Sequence, residues 1–407
     1  MNFLRSIYHF SLPYLGALLY RFPSRKLLVI GVTGTKGKSS TVEMINAIFE
    51  EAGYKTALLN SIRIKVADDS TPNTMRMSMP GRFFIQRFLA RALAAECKVA
   101  LLEMTSEGAR QYRHRAIALD ALVFTNLAPE HIESHGSYEA YANAKFSLGQ
   151  GLARSGKKFR VMVANADDPA SERYLKLPVE KTIGYSLHAD KSHSANDAGG
   201  HFLFNEANIA VKLPGNFSLE NALAAATLAD AFGIGTPTIA RALGKVTRIA
   251  GRAEKVEAGQ DFTVVVDYAH TPDSLQALYA AYSTKRKICV LGATGGGRDK
   301  WKRPVMGKVA DDNCDTVILT NEDPYDEDPK TIIDELAGGM KRKAEVVLDR
   351  REAIARGIAL ANPGDAVLIT GKGTDPTIQG PRHSAEPWSD ARVAHEEIEK
   401  FLVTKQV

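Results

Sequence analysis

Cysteine is scarce in this chain, and that scarcity limits its covalent chemistry. Cys97, Cys289 and Cys314 are the three cysteines among 407 residues, and no two of them form a C-x-x-C pair. Disulfide frameworks and zinc ribbons depend on closely spaced cysteines, so we expect neither of them here. A reducing compartment, the cytoplasm, is therefore the expected location.

Tracts of one charge sign are also missing. The formal net charge is +5, and the basic residues are scattered rather than gathered into a tail. No nucleic-acid motif accompanies them, so an anionic small molecule is favoured over nucleic acid as the partner. With 44% hydrophobic and 24% charged residues, the chain is typical of a globular protein with about two or three domains.

Residues 1–25 come nearest to a long apolar run, but polar residues and a proline interrupt them. The interrupting residues are His9, Ser11 and Pro13, and no small-residue cleavage site follows. A signal peptide or a membrane-spanning helix therefore fits poorly. Two interpretations remain, namely one or two short helices packed on the next domain, or an interfacial contact with a membrane.

The segment from Leu27 to Thr41 has the pattern of a phosphate-binding loop. Residues 27–30 predict a short buried strand, the glycines after them predict a tight turn, and Ser39 begins a predicted helix. The backbone N–H groups of such a turn can surround phosphate oxygens. Lys38 can reach the β- and γ-phosphates, and the Ser39 hydroxyl can ligate Mg²⁺. The candidate nucleotide-binding residues of this segment are Gly34, Thr35, Lys36, Gly37, Lys38, Ser39 and Ser40.

The glycine spacing makes this loop a variant. The usual G-x-x-x-x-G-K-[ST] pattern would need glycine at Val32, whereas this chain has Gly31, Gly34 and Gly37. A glycine turn beside a solvated lysine is the competing interpretation. The combination of strand, glycines, lysine and hydroxyls favours phosphate binding.

Short apolar runs alternate with longer helical patterns in two successive series. In the first series the predicted strands are 99–102, 121–124 and 160–164. In the second series they are 262–266, 287–291, 316–319 and 366–369. This alternation predicts parallel α/β architecture, in which polar residues at the strand ends face the ligand crevice.

The composition changes near residue 248, which divides the chain. We expect an apolar helical segment over 1–25, a central ATP-binding domain over 26–247 and a carboxy-terminal domain over 248–407. The polar patch 186–201 predicts a surface loop or hairpin rather than a metal site, because its histidines lack ligand spacing.

Polar residues after the central strands suggest metal ligands. Glu103 could meet a Mg²⁺ held by Ser39, although a surface glutamate is the alternative. His131 and Lys145 could surround a second cation. An ammonium group cannot ligate a metal, so this second site would require a carbamylated Lys145.

Several strings of residues occur in the order seen in Mur ligases, and the chain resembles that family from about residue 26 to its end. The Asp267–Ser274 string is the most specific match. Folylpolyglutamate synthetases belong to the same superfamily but usually carry a different string there. The strings that carry the resemblance are 34–39, Glu103, 125–127 with 130–131, Tyr141 with 144–145, 165–168, 221–225 and 267–274.

The resemblance implies an ATP-dependent amide ligase, most like the members that add the third residue to a muramoyl dipeptide. The implied fold is a central P-loop ATPase domain with a parallel sheet, followed by a Rossmann-like carboxy-terminal α/β domain. ATP would phosphorylate a carboxylate, and an incoming amine would attack the acyl phosphate. ATP and Mg²⁺ are the implied cofactors. A muramoyl-peptide acceptor and a free amino acid are the implied partners, and we expect a monomer.

The family match also implies roles for individual residues. Lys38, His131 and Lys145 would be catalytic, with Ser39 and Glu103 holding one Mg²⁺ and His131 with carbamylated Lys145 holding the other. Asn221 would face the adenine, Arg252 the phosphates and Asp267 the ribose. The residues expected where the domains close are His270 and the 295–300 loop, with Asp299 and Lys300.

The amino terminus departs from the family pattern. Members of this type carry a UDP-binding domain before the phosphate loop, whereas 30 residues precede Gly31 here. Either UDP is held elsewhere, or the acceptor is presented in another form, such as a lipid-linked one. Thr71-Pro72-Asn73 resembles the family's threonine-proline motif near the muramoyl peptide, so a peptide-like acceptor remains favoured.

The expected amino-acid pocket also departs from the pattern. Enzymes that add diaminopimelate carry Asp-Asn-Pro-Arg where this chain has Glu322-Asp323-Pro324-Tyr325. Tyrosine cannot make arginine's bidentate contact with a carboxylate, so this pocket does not favour diaminopimelate. Lysine is a plausible alternative, because Glu322 and Asp323 put acid nearby. Residues 326–328 add further acid, although an exposed acidic loop explains them equally well.

Two further positions differ from the family. Asp375, in a Gly-Lys-Gly-Thr-Asp string, could still receive the incoming amine. Glu107 replaces a histidine of the family and cannot take over its role.

Other functions stay open beside the muramoyl-peptide ligase. One is a folylpolyglutamate-type or lipid-linked-precursor ligase, and another is a catalytically silent nucleotide-binding subunit. The presence of Lys38, His131 and Lys145 argues against the silent subunit, because simple binding does not require a second metal site.

Overall fold

A computed structural model describes residues 3–81, 83–130 and 132–405 of the chain. These residues form two compact units. Unit 1 contains the described residues up to Ser194 together with Gly199–Lys212 and Phe217–Thr247. Unit 2 contains Ala195–Ala198, Leu213–Asn216 and the described residues from Arg248 onward.

The first part of the chain alternates helices and strands. The helices up to residue 245 are α1 (Phe3–Leu19), α2 (Lys38–Glu51), α3 (Phe84–Ala94), α4 (Ser106–Arg110), α5 (Ile132–His135), α6 (Tyr138–Ala153), α7 (Ser171–Leu175), α8 (Asn216–Ala231) and α9 (Thr236–Lys245). The strands are β1 (Leu28–Thr33), β2 (Thr56–Leu59), β3 (Arg63–Val66), β4 (Asp69–Pro72), β5 (Val99–Glu103), β6 (Ala121–Phe124), β7 (Val161–Asn165), β8 (Lys181–Tyr185), β9 (Ser194–Ala195), β10 (Gly200–Phe204) and β11 (Ala207–Val211).

The main sheet of unit 1 brings the polar strand ends together. Its strand order is β4-β3-β2-β5-β1-β6-β7-β8 within the described residues. Six strands run parallel, in the order β2-β5-β1-β6-β7-β8. Strands β3 and β4 form an antiparallel extension beside β2 at one edge. The predicted strands 99–102, 121–124 and 160–164 are confirmed as β5, β6 and β7, and they lie next to β1 or to each other.

Both faces of this parallel sheet are covered, as its near-continuous apolar strands require. Leu102, Leu122 and Phe124 belong to a buried cluster that includes Phe88 of α3 and Leu148 of α6. Helix α2 also packs against β1, β2 and β5. A sheet buried in this way fixes the loops at its carboxyl edge.

The 186–201 patch is mostly loop, with the two-residue strand β9 and the first residues of β10, and the hairpin itself lies just beyond it. Strand β10 pairs with β11 as an antiparallel hairpin, with Gly200 opposite Val211. Asn205 and Glu206 form the turn with positive φ of 47° and 65°.

The amino-terminal segment forms one long helix instead of one or two short ones. Helix α1 runs for 17 residues through Pro13, and a 3-10 turn follows at Pro23–Lys26. The helix packs on α3 at Gly16, where an added Cβ would lie 2.7 Å from Phe83 Cδ1. No helix among the described residues is long and apolar enough to cross a membrane.

Unit 2 carries the second α/β series. Its helices are α10 (Pro272–Ala281), α11 (Lys302–Asn313), α12 (Pro329–Ala337), α13 (Arg350–Ala359) and α14 (Asp390–Lys405). The strands are β12 (Glu254–Lys255), β13 (Thr263–Asp267), β14 (Lys287–Leu291), β15 (Thr316–Leu319), β16 (Glu345–Val346), β17 (Ala366–Thr370), β18 (Thr377–Gln379) and β19 (Ala385–Pro387).

The predicted strands of this series are confirmed and form one sheet. In the described part of the chain its order is β12-β13-β17-β14-β15-β16, and all pairs except β12–β13 are parallel. Val264, Val290 and Val367 pack on Ile354 of α13 and Ile398 of α14 in one buried cluster. The loops after β13, β14, β15 and β17 therefore share one edge of the sheet.

The structure corrects the expectation from cysteine spacing in one respect. Cys289 of β14 and Cys314 after α11 form a disulfide, while Cys97 is free and buried. The two bonded cysteines are 25 residues apart in sequence, so no local spacing signal marks them. They meet because α11 returns the chain from the end of β14 to the start of β15 beside it.

Candidate active site

The phosphate-loop pattern forms a tight turn between β1 and α2. Gly34 and Gly37 have φ of 149° and 80°, which side chains rarely adopt. An added Cβ on Gly34 would lie 1.9 Å from Thr125 Oγ1, and one on Gly37 would lie 2.2 Å from Asn221 Oδ1. Both positions therefore require glycine for backbone conformation and for space.

The segment after β6 holds this turn in shape. Asn126 accepts from the Thr35 N–H at its backbone oxygen (2.9 Å) and from the Lys36 N–H at Oδ1 (2.8 Å). Thr125 Oγ1 donates to the Lys36 oxygen at 2.6 Å. The Lys36 ammonium pairs with Glu130 at 3.1 Å. Lys36 is thus committed to an ion pair inside the protein.

Lys38 and Ser39 begin α2, where the helix dipole is positive. Lys38 Nζ donates to the Thr35 oxygen at 2.9 Å and so curls back over the turn. Ser39 and Ser40 are both buried in the first helical turn. The positive end of the helix dipole and the lysine together favour an anion.

Glu103 lies directly beside Ser39, as the strand ends predict. Ser39 Oγ donates to Glu103 Oε2 at 2.8 Å, and the Ser61 N–H donates to the same oxygen at 3.0 Å. Ser78 Oγ donates to Oε1 at 2.7 Å. Burial favours a higher pKa for Glu103, but the Lys38 cation and these hydrogen bonds outweigh it, so the pKa lies below its usual value. The group is a buried carboxylate surrounded by hydroxyls.

Lys145 extends from α6 to the loop. Its Nζ donates to the Gly34 oxygen at 2.6 Å and lies 4.8 Å from the centre of the Tyr141 ring. The side chain is 2% exposed. Burial, together with the nearby Lys38 cation, holds the pKa of Lys145 well below its usual value. An unprotonated amine at this position is a nucleophile.

Tyr141 joins Lys145 to the loop. Its hydroxyl is 2.9 Å from Thr35 Oγ1, and that threonine oxygen lies 3.3 Å from the Ala128 oxygen. His131, the other predicted ligand of the second metal, lies outside the described residues. Among the residues that the structure describes, no group of three His, Cys, Asp or Glu could hold a metal.

The remaining predicted residues of unit 1 fall at two places. Asn221 lies against the loop, where its Oδ1 accepts from Thr41 Oγ1 at 3.1 Å. Thr71 lies on the exposed edge strand β4, opposite Ile64. Asn73, two residues further on, is buried and holds the oxygens of Asn60 and Met77.

In unit 2, Arg252, Asp267 and His270 gather around the end of β13. Asp267 accepts from the N–H groups of Ala253 and Ala269, each at 2.6 Å. The Arg252 guanidinium lies 4.8 Å from the centre of the Tyr268 ring, and His270 Nδ1 lies 2.7 Å from the Tyr268 oxygen. The three nucleotide-binding residues predicted in this unit are therefore neighbours.

A second cluster in unit 2 forms where β15 and β17 end. Lys372, fully buried, donates to Asp323 Oδ1 at 2.7 Å and lies 3.5 Å from Asp375. Glu322 accepts from Thr294 Oγ1 at 2.6 Å, while its buried Oε2 has no hydrogen-bond partner among the described residues. Burial raises the pKa of Glu322 against the opposing effect of Lys372.

Tyr325 follows this cluster with a φ of 53°. Its N–H donates to the Gln379 oxygen at 3.1 Å. Its hydroxyl lies 3.5 Å from Arg298 Nη2, and the Arg298 guanidinium lies 5.8 Å from the ring centre. A guanidinium thus stands beside the tyrosine that replaces the expected arginine.

The glycine-rich segment before α11 holds Asp299 and Lys300. Asp299 is buried with a φ of 20°, and Lys300 pairs with Glu327 at 3.0 Å. Arg303, fully buried, also contacts Glu327 at 3.1 Å. Burial favours a higher pKa for Glu327, but the Gly297 N–H and these cations lower it to about 2.

Sequence reasoning missed several residues that the structure places at these sites. Ser61 and Ser78 contact Glu103, and Lys372 and Arg303 are fully buried cations. Ser61 follows strand β2, which neighbours β5, so recognition of β2 would have placed it at the same sheet edge. No sequence signal marks Ser78.

The donor set around Glu103 fits a hard divalent cation. Its carboxylate and the hydroxyls of Ser39, Ser61 and Ser78 are oxygen donors, which Mg²⁺ prefers. Lys38 and the first turn of α2 suit the phosphates that such a cation accompanies. A parallel sheet with this strand, glycine turn and helix defines a P-loop nucleotide-binding protein.

The comparisons with known proteins name the family. Residues 32–229 match the Mur ligase middle domain, and residues 251–373 match the Mur ligase, glutamate ligase domain. A UDP-N-acetylmuramoyl-L-alanyl-D-glutamate–2,6-diaminopimelate ligase of Syntrophomonas wolfei is 36% identical over 402 residues, which cover 95% of this chain and 81% of the relative. The chain belongs to the Mur ligase family. It is therefore an ATP-dependent amide ligase, as the motif strings predict.

Solved structures agree on the fold. A UDP-N-acetylmuramoyl-L-alanyl-D-glutamate–2,6-diaminopimelate ligase has a TM-score of 0.65 at 27% identity, covering 95% of this chain and 82% of that one. Mycobacterium tuberculosis folylpolyglutamate synthase with ADP and AMPPCP has a TM-score of 0.71 at 16% identity, covering 90% and 93%. The second likeness concerns the fold alone.

Proposed function

We propose that this ligase joins an amino acid to the carboxylate of a muramoyl peptide during synthesis of peptidoglycan precursors. The observation that carries the proposal is the arrangement around the P-loop, where Lys38 bonds Thr35, Glu103 bonds Ser39 and buried Lys145 bonds Gly34. The name of the Syntrophomonas wolfei relative supports the acceptor class.

The chemistry proceeds through an acyl phosphate. The acceptor carboxylate attacks the γ-phosphorus of ATP and ADP leaves; the amine then attacks the acyl carbon and phosphate leaves. Lys38 stabilises the charge on the transferred phosphoryl group, and the loop N–H groups fix its orientation. Glu103 and Ser39 would hold Mg²⁺, which neutralises phosphate charge when bound.

Lys145 is proposed to react with carbon dioxide. Its neutral amine would form a carbamate and release a proton, which turns a cation into a carboxylate-like ligand. Burial and the low pKa of Lys145 support this step, because only an unprotonated amine can attack carbon dioxide. His131 would be the second ligand at that position.

Nucleotide contacts are proposed for four further residues. Asn221 of unit 1 is proposed to contact the adenine. Arg252, Asp267 and His270 of unit 2 are proposed to contact the phosphates and ribose. The mutual proximity of these three side chains supports their assignment to one ligand.

The incoming amino acid is proposed to bind at the β15 and β17 ends, between Glu322, Asp323, Asp375 and Tyr325. Asp375 would receive the attacking amine. Acidic groups there suit a diamino acid, and lysine needs no arginine at Tyr325. Asp299 and Lys300 are proposed to border this pocket.

The acceptor is proposed to lie near Thr71, in UDP-linked or lipid-linked form. A cytoplasmic monomer is the proposed working state, with a peripheral membrane contact through residues 1–25.

Phosphate release from ATP tests the function. Purified protein with Mg²⁺ and bicarbonate is supplied with UDP-N-acetylmuramoyl-L-alanyl-D-glutamate and lysine, diaminopimelate or other amino acids in turn. We expect release with one amino acid and a product heavier by that residue. A pteroate-type acceptor in parallel separates the folylpolyglutamate activity. If no acceptor causes phosphate release although ATP still binds, the ligase proposal is contradicted.

A further inference from the structure

Helix α1 exposes an apolar face that its own unit does not cover. Ala17 of this helix is fully buried and Gly16 packs on Phe83, which fixes the inner face. The outward side chains lie on the opposite side of the helix and are 43–67% exposed. These residues, the α1 face, are Tyr8, Tyr14, Leu15, Leu18 and Leu19.

An exposed face of this kind suits a membrane interface. A helix buried on one side and apolar on the other has no water-facing polar stripe, which an ordinary surface helix shows. Tyrosines and leucines together suit the boundary between headgroups and acyl chains. At about 1.5 Å per residue, the 17 residues give a length of about 25 Å, shorter than a bilayer core of about 30 Å.

Charge distinguishes a lipid surface from other occupants. No Asp or Glu occurs before Glu43, whereas the first 26 residues contain Arg5, Arg21, Arg25 and Lys26. Arg21, Arg25 and Lys26 are exposed just beyond the helix. An apolar face flanked by cations alone is complementary to anionic lipid headgroups.

The segments beside α1 strengthen this positive surface. Arg115 lies 6.0 Å from the ring centre of Phe10, and Arg113 contacts the Met79 oxygen next to a small pocket lined by His9 and Pro13. The nearby acid Glu107 already pairs with Arg110 at 3.0 Å. The local balance therefore stays positive.

We propose that the α1 face docks this protein on a bilayer that contains anionic phospholipids. This deepens the membrane contact of residues 1–25 proposed above, because it names the docking face and the lipid class, and it does not depend on the amide-ligase chemistry.

Vesicle flotation tests the proposal with the full chain. Vesicles of phosphatidylcholine alone are compared with vesicles that also contain phosphatidylglycerol. The test variant is Leu15→Asp with Leu18→Asp, both outward. The matched control is Leu203→Asp with Leu348→Asp, two exposed leucines elsewhere on the surface.

We expect the wild type to float with the anionic vesicles, less so in about 0.5 M salt, where charges are screened within about 3–5 Å. The α1 variant should bind roughly tenfold or more weakly, and the control should bind like the wild type. An unchanged melting curve and retained ATP-dependent ligation of a soluble acceptor show that the variant is folded.

Three results would overturn the proposal. Equal binding to neutral and anionic vesicles would show that anionic phospholipids are not required. Undiminished binding by the α1 variant would show that the α1 face is not the docking surface. Failure of the wild-type protein to bind either kind of vesicle would also overturn the proposal. If that protein then sediments as a dimer that the α1 variant breaks, the face is covered by a second copy.

Discussion

Lys145 lies at a site that disfavours the positive charge that a lysine side chain usually carries. Its ammonium would be buried beside Lys38, and its Nζ donates to the backbone oxygen of Gly34. Burial of a charge is costly unless an opposite charge pairs with it. Conversion to a carbamate reverses the sign of the charge and matches the neighbouring lysine.

Replacing Lys145 with alanine tests this role. We expect Lys145→Ala to slow ligation on the order of 100-fold or more, since a metal ligand is lost. A short carboxylic acid such as acetate should restore part of the rate by occupying the space left. The measurement is product formation by mass, with and without the acid.

Lys158→Ala is the matched control for that experiment. Lys158 is an exposed lysine shortly after the same helix, and its loss should leave the rate unchanged. Full activity of Lys145→Ala would rule out the carbamate. Acetate should not raise the rate of Lys158→Ala or of the wild type at saturating bicarbonate.

Helices α11 and α12 pack so closely that one of them needs a glycine. A Cβ on Gly307 of α11 would lie 1.8 Å from the Leu336 backbone oxygen of α12. Backbone cannot move aside as a flexible side chain can, so the helices would have to separate. Helix α11 directly follows the segment that carries Asp299 and Lys300.

Alanine at Gly307 should therefore weaken the fold. We expect Gly307→Ala to lower the free energy of unfolding by about 1–3 kcal/mol through overpacking. Gly244→Ala is the control, because nothing lies within 4 Å of a Cβ on this helical glycine of α9. The control should gain up to about 1 kcal/mol from helix propensity. Chemical denaturation measures both, and equal effects would contradict the packing argument.

The molecule as a whole contains a buried histidine that should make its stability depend on pH. His114 is 4% exposed, and neither ring nitrogen has a hydrogen-bond partner in the described structure. Burial, with a smaller effect of Arg115, lowers the pKa of His114 to about 4. Between pH 6.5, the pKa of His114 in the unfolded chain, and pH 4, the unfolded chain protonates His114 whereas the folded protein keeps it neutral.

The stabilisation from neutral His114 is complete above pH 6.5 and is lost as the pH falls toward 4. At pH 4.5 the loss amounts to at most about 2.5 kcal/mol. We expect His114→Leu to show a smaller drop in unfolding free energy between pH 7 and pH 4.5 than the wild type.

The exposed His395 supplies the control for this comparison. His395→Leu should keep the acid sensitivity of the wild type, because its ring faces water. Denaturant unfolding at the two pH values decides the question. An identical pH dependence in wild type and His114→Leu would show that other groups cause the acid sensitivity.

Much of the site could be predicted from short strings because its chemistry is local. The glycines of the loop, Lys38 and Ser39 follow one another along the chain, so strand, turn and helix signals locate them without any knowledge of the fold. The pattern of parallel strands then predicted Glu103 at the same sheet edge, and in the structure Ser39 contacts it at 2.8 Å.

The sequence by itself determined the α/β class, the position of the P-loop and the Mur ligase family. Those features depend on periodicity, on glycine positions and on ordered motif strings. The tertiary structure decided what depends on distant residues meeting. Only packing brings Ser61 and Ser78 onto Glu103, joins Cys289 to Cys314, buries Lys145 against Gly34 and turns the apolar side of α1 outward. Burial and neighbouring charge, which fix the pKa values of Glu103 and Lys145, exist only once the chain is folded.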